Sequence, residues 1–192
     1  MSPAPTLDID DARVAVLTTA DDLFYRHGIA AVSMADIRDQ SGVSLRRLYS
    51  LFPHKSDLVS GWLEQRHESW MAMFTNGIDQ RLAAGDGPAD AVFGSLTAWL
   101  VATEFRGCGF INTLAETGVV TDRHRDIIRH HKQALIDLLG QFTNEPAALA
   151  VLIDGAIVQA AVFASTDPVE AARHAATSLF NLTPQRQDQP NA

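Results

Sequence analysis

Apolar residues recur at intervals of three and four along almost the whole chain, and no stretch alternates apolar with polar residues between turns, so the pattern predicts an all-α protein. Val16, Ala20, Leu23 and His27 form one stripe, with Leu17 and Phe24 beside it. They predict a first helix from about Asp10 to His27, ended by Gly28. A second helix starts at Ser33, whose hydroxyl is placed to accept from the amide of Asp36 while that carboxylate reaches back, and Gly42 stops it. A third runs from Ser44 to about Leu51, where Pro53 forces Phe52 out of helical geometry. Leu58, Trp62, Trp70, Phe74 and Ile78 then share the broad face of a long helix from Lys55 to about Ala83, broken by AGDGP. Further helices are predicted from Pro88 to Phe105, Phe110 to Glu116, Thr121 to Phe142, Pro146 to Ala164, and Asp167 to Leu182. Residues 183–192 are polar and proline-bearing, which predicts a disordered tail.

The segment from Pro146 to Ala164 is apolar almost all round. A membrane span is disfavoured by Asp154 and Gln159 within it and by the lack of basic flanks. Such a helix must be buried on more than one side, by its own domain or by another copy of itself. The small residues Gly155, Ala156, Ala160 and Ala161 permit close approach of a second helix, and with the following helix they suit a four-helix interface across a two-fold axis. The expected interface residues are Leu149, Leu152, Ile153, Ala156, Ile157, Ala160, Ala172, Ala176 and Leu179.

With 192 residues, the chain has room for a small module joined to a larger one. Its 46% apolar and 20% charged residues are those of a soluble globular protein, and the single cysteine, Cys108, excludes an intrachain disulfide framework. The start, MSPAPTLDIDD, has no secretory pattern, so a cytoplasmic location is expected. A net charge of −8 gives no hint of a polyanion partner. The distribution is more informative. Residues 1–55 carry six Lys plus Arg against seven Asp plus Glu, and Leu45 to Lys55 carry three cations and no acid.

Those cations fall in SMADIRDQSGVSLRRLYSLFPHKSDLV, which has the spacing of a helix-turn-helix. Ile37, Val43 and Leu48 can pack between two short helices, Gly42 makes the turn, and Ser44 caps the second helix. In this motif the second helix enters the major groove of DNA. Leu45, Arg46, Arg47, Tyr49 and Ser50 are left facing away from the core or along its edge, and an arginine at the start of such a helix can pair bidentately with guanine. Ser33 and Lys55 lie at helix N-termini, where amides favour phosphate, and the Tyr49 hydroxyl is a phosphate donor.

The stretch from Arg13 to Val59 resembles the DNA-binding region of the TetR, or tetracycline-repressor-like, family of bacterial transcriptional regulators. The matching positions are Ala20, Leu23, Phe24, Gly28, Ser33, Ile37, Gly42-Val43-Ser44, Leu48-Tyr49, Phe52-Pro53, Lys55 and Leu58, about a quarter of the chain. FRGCGFINTLAE, Phe105 to Glu116, is similar to a segment found in a subset of these regulators. The resemblance implies a three-helix module, residues 1–54, joined by a long helix to a larger helical effector-binding and dimerisation domain, residues 55–182. It implies a homodimeric repressor that binds a palindromic double-stranded operator and leaves it when a small molecule binds. By position, Leu45, Arg46 and Arg47 would approach bases, Ser33, Tyr49 and Lys55 would hold phosphates, and Ser44 caps the recognition helix. Many members have small residues where Arg46 and Arg47 stand, so the operator sequence does not carry over. The alternative is an all-α small-molecule binding protein that keeps the helix-turn-helix as scaffold.

For the effector, aromatic residues on successive helices and polar residues inside apolar segments are the candidates: Trp62, Trp70, Phe74, Trp99, Phe110, Asn112, Thr113, Glu116, His131 and Gln159. Cys108, in a joint between Gly107 and Gly109, reads as a small packed residue ahead of a thiol sensor. The seven histidines lack metal-ligand spacing, and no phosphate loop, nucleophile elbow or carboxylate pair suggests an enzyme, so neither cofactor nor metal is expected.

Overall fold

A computed structural model describes residues 8–102, 105–116 and 118–180; the tail expected over residues 183–192 lies outside them. Among the described residues there are nine α-helices and no strand. They are α1 (Ile9–His27), α2 (Met34–Ser41), α3 (Leu45–Leu51), α4 (Lys55–Ala83), α5 (Pro88–Ala102), α6 (Gly109–Ala115), α7 (Asp122–Leu139), α8 (Pro146–Phe163) and α9 (Asp167–Phe180). The all-α architecture read from the periodicity is the observed one.

Local chemistry sets most of the boundaries. Ser33 and Asp36 form the reciprocal capping box, and Gly42 closes α2 in the left-handed conformation at φ 69°. Ser44 Oγ accepts from the amide of Arg47 to start α3, and Phe52 is extended at φ −137° ahead of Pro53. Most ends fall within a residue or two of the sequence expectation, and two differ by three. Phe105 lies outside α5, with its ring edge-on to Trp99 at 5.2 Å. The helix expected to reach Phe142 stops at Leu139, because the amides of Gln141 and Phe142 bond three residues back, to Leu138 and Leu139, and tighten the last turn.

The chain divides into two compact units. Of the described residues, the first unit holds those from 8 to 69 and from 108 to 129, and the second those from 70 to 107 and from 130 to 180.

In the first unit, α1, α2 and α3 close around Val16, Ala20, Phe24, Ile37, Val43 and Leu48, all buried. The Trp62 indole meets the Phe24 ring edge-on at 5.4 Å, and its Nε1–H donates to Asp21 Oδ1 at 2.6 Å. Arg66 donates to the same oxygen, and its guanidinium lies 4.4 Å from the centre of the Tyr25 ring. His124 is fully buried. The Thr121 amide donates to its Nδ1, and its Nε2 lies 2.9 Å from the Ser56 carbonyl, partners that assign the proton to Nε2.

The second unit packs α9 against both α5 and α8. Trp70 stacks on Phe74 at 4.7 Å and meets Trp99 and His131 edge-on at 5.7 and 5.3 Å. Lys132 of α7 pairs with Asp154 of α8 at 2.5 Å, and Thr143 Oγ1 donates to the Leu179 carbonyl at 2.6 Å. Helix α8 has the length and composition to cross a membrane, with a mean hydropathy of 1.9. Its contacts with α9 and its ion pair with α7 make it a packed helix of this unit.

Candidate nucleic-acid interface

A seven-residue helix is too short to persist alone, so α3 depends on its docking and its caps. Leu48 is its one buried residue and is wholly enclosed. Leu45, Arg46 and Tyr49 are exposed on α3, and Arg47 is half-buried. Ser44 is exposed at the cap, with Ser50 Oγ donating to the Arg47 carbonyl further along. The structure therefore brings Ser44, Leu45, Arg46, Arg47 and Tyr49 together on one short, largely exposed helix.

The two expected phosphate anchors at other helix starts are more engaged. Ser33 Oγ donates to Asp36 Oδ2 at 2.7 Å and accepts from the Asp36 amide at 3.2 Å, and its own amide donates to the same carboxylate at 2.7 Å. These hydrogen bonds, with a contribution from the Lys55 charge, hold the Asp36 carboxyl below the usual carboxylate range. Lys55 turns inward and donates from Nζ to the Ile29 carbonyl at 2.5 Å. Partial burial pulls its ammonium below the ordinary lysine value, against the opposing pull of Glu116 and Asp36. The side chain expected to grip phosphate thus braces the turn between α1 and α2.

The profile described as "Bacterial regulatory proteins, tetR family" matches residues 16–61, which run from α1 through the helix-turn-helix into α4. The regulator SCO4454 of Streptomyces coelicolor, a TetR-family structure, superposes with a TM-score of 0.74 at 29% identity, covering 88% of each chain. Residues 16–61 thus form a DNA-binding module of the TetR family, and over 88% of its length the chain is similar to a TetR-family regulator. It is similar as well to the HTH-type transcriptional regulator TtgR of Pseudomonas putida, 31% identical over 62 residues. That match spans 32% of this chain and 30% of the length of its curated relative. The structure of the multidrug binding protein EbrR complexed with imidazole shares the fold, with a TM-score of 0.71 at 19% identity over 90% of this chain and 91% of that one. TetR-family regulators are DNA-binding transcription factors rather than enzymes.

Outside the TetR DNA-binding module, the expected effector residues fall into separate groups. Trp70, Phe74, Trp99 and His131 meet in the second unit. Trp62, Phe110, Thr113 and Glu116 belong to the first, where their polar groups have internal partners: Trp62 donates to Asp21, Thr113 Oγ1 to the Gly109 carbonyl, and Glu116 accepts from Ile29 and Ala30. Asn112 and Gln159 are exposed. Cys108 is buried at the start of α6 and makes no capping hydrogen bond.

The residues expected at a subunit interface are mostly enclosed by the chain itself. Leu149, Ile153, Ala156, Ile157, Ala160, Ala172 and Ala176 are buried, while Leu152 and Leu179 are half-buried. The open apolar face of α8 is instead Val151, Gly155, Val158 and Val162, with Val151 72% and Val162 70% exposed. Their spacing of four, three and four places them on one stripe. That second stripe was visible in the sequence, but on a helix apolar all round nothing marked it as the outer one.

Proposed function

We propose that this chain is a ligand-responsive repressor of the TetR family that binds a palindromic operator as a homodimer and is released by a small apolar effector. Residues 1–54 carry the DNA contacts and residues 55–182 the effector and dimer functions, in the cytoplasm. The observation that carries the reading is α3, which buries Leu48 and presents Leu45, Arg46 and Tyr49 on its outer side with Arg47 half-buried beside them. Arg46 and Arg47 meet base edges, whereas Tyr49, Ser44 and Ser33 meet phosphates.

The exposed stripe Val151, Gly155, Val158 and Val162 supports the homodimer, since a second copy of the same helix covers it in an isologous contact. Nothing beyond its own turn of helix lies within 4 Å of where a Cβ on Gly155 would sit, so the partner helix can approach closely there. Two recognition helices then enter successive major grooves about 34 to 36 Å apart or somewhat further. The effector displaces DNA by binding more tightly to a form in which that separation is wrong.

An apolar effector is supported by the aromatic cluster of Trp70, Phe74 and Trp99 with His131 in the second unit, which also holds an open pocket of about 510 Å³ with a mixed polar and apolar lining. Leu100, Val101, Phe105, Ala160, Ser165 and Thr166 line that pocket, with hydroxyls but no charged side chain among them. EbrR, named as a multidrug binding protein, is a relative in fold whose described behaviour agrees with this reading.

A gel-shift titration against the DNA flanking the chain's own gene tests the function. The parent forms a discrete complex, and Arg47→Ala loses about 1 to 3 kcal/mol of discrimination between that DNA and a scrambled duplex. A parent that binds both duplexes equally contradicts the proposal.

A further inference from the structure

We infer that Glu116 is a positioning residue for DNA binding, whose carboxylate latches the turn between α1 and α2 to the end of α6 and so fixes where α2 begins. The inference rests on the DNA-binding reading above and concerns contacts within the first unit only.

Glu116 directly follows α6, and its Oε1 accepts from the Ile29 amide at 2.8 Å while its Oε2 accepts from the Ala30 amide at 2.6 Å. Two successive backbone N–H groups aimed at one carboxylate form an anion-holding concavity. It is made possible by Gly28, at φ 82°, where a Cβ would also lie 3.3 Å from Glu116 Oε1. The same turn is held from the other side by Lys55, whose ammonium takes the Ile29 carbonyl. Both main-chain polar groups of Ile29 are therefore bound by side chains of opposite charge. Val32 N, donating to the Ile29 carbonyl at 3.3 Å, is the turn's own local bond, and the capping box of α2 opens at the next residue, Ser33.

The other end of α6 is fixed on α1 as well. A Cβ on Gly109 would lie 2.7 Å from Arg66 Nε, so the arginine runs directly over the first residue of α6. That arginine pairs with Asp21 and covers Tyr25, both on α1. Helix α6 has only seven residues and cannot hold its own position. It is pinned to the DNA-binding module at its start by Arg66 and at its end by Glu116. Any change that shifts α6 pulls directly on the turn that sets the start of α2.

The test uses Glu116→Gln and Glu116→Ala in the full-length protein. Glutamine keeps the size and one acceptor oxygen but turns an N–H2 group toward the second amide. Hydrogen exchange of Ile29 and Ala30 is expected to quicken by about tenfold in Glu116→Gln, with the α3 amides unchanged. Affinity for a duplex selected from random DNA by the parent is expected to fall by about tenfold in Glu116→Gln and at least as far in Glu116→Ala. Ile78→Val, a core change in the second unit, measures what general loosening does to affinity, and the Glu116→Gln loss must exceed it. Unchanged exchange at Ile29 and Ala30, or DNA affinity within twofold of the parent, overturns the inference. A parent that selects no duplex defeats the DNA-binding reading and this role with it, while the exchange measurement still reports whether the latch exists.

Discussion

Replacing Leu48 by alanine is expected to weaken DNA binding at least tenfold while leaving the rest of the molecule folded. Leu48 is wholly buried and is the one side chain that α3 contributes to the core. Large-to-small changes of a fully enclosed leucine cost about 2 to 5 kcal/mol, the sum of lost transfer energy and the cavity left behind. In most helices such a loss is shared among several anchors. Here the remaining attachments of α3 are half-buried Arg47 and Leu51, the buried flanking residues Val43 and Phe52, and the Ser44 cap, worth about 1 kcal/mol. The docking equilibrium of α3 should therefore shift by about 30-fold to several thousandfold, enough to leave the helix undocked for an appreciable fraction of the time. Only seven residues lose helical structure, so far-UV circular dichroism should change little. The assay pairs a gel shift with hydrogen exchange: DNA affinity falls by at least tenfold, and amides of α3 lose protection while those of α1 and α5 keep theirs. Parental affinity in Leu48→Ala would refute the claim that Leu48 is the main anchor of α3.

Two further outcomes follow from the same geometry. Val158→Glu places a charge on the exposed stripe of α8, and light scattering is expected to find a monomer where the parent is a dimer; a dimer in both would remove that face from the interface. The Asp36 carboxyl is held below the usual range chiefly by its hydrogen bonds with Ser33, so its contribution to stability is present above about pH 4 and is lost as the pH falls through its folded value. Ser33→Ala should thus be less stable than the parent at pH 6, by about 1 kcal/mol in thermal or urea unfolding. The difference should shrink toward pH 3, and a gap that stays constant with pH would contradict the capping-box account.

What was legible in the sequence was local. The cap at Ser33 and Asp36, the turn at Gly42, the prolines opening α5 and α8, and the full extent of α4 from Lys55 to Ala83 each depend on residues within a few positions of one another. Burial was legible too, but not the partner. Trp62 and Trp70 lie on one helix at helical spacing, yet Trp62 packs on Phe24 and donates to Asp21, whereas Trp70 stacks with Phe74 beside Trp99. Glu116 looked like a polar group in need of a ligand, and its partners proved to be backbone amides 86 and 87 positions away. The place of Lys55 at a helix start is local and legible, whereas the Ile29 carbonyl that its ammonium meets lies 26 positions away. Helix α8 is apolar on every side, so its periodicity could not separate the face packed by the chain from the exposed stripe at Val151, Gly155, Val158 and Val162.

The central claim is that this chain reads DNA with two copies of α3 set by a two-fold axis. Selection of bound duplexes from a random library by the purified full-length protein tests it most directly. The account predicts an enriched inverted repeat whose half-sites are centred one helical turn or somewhat more apart, with enrichment lost for Arg46→Ala and Arg47→Ala together. No enriched sequence, or a single half-site without its inverted mate, would contradict it.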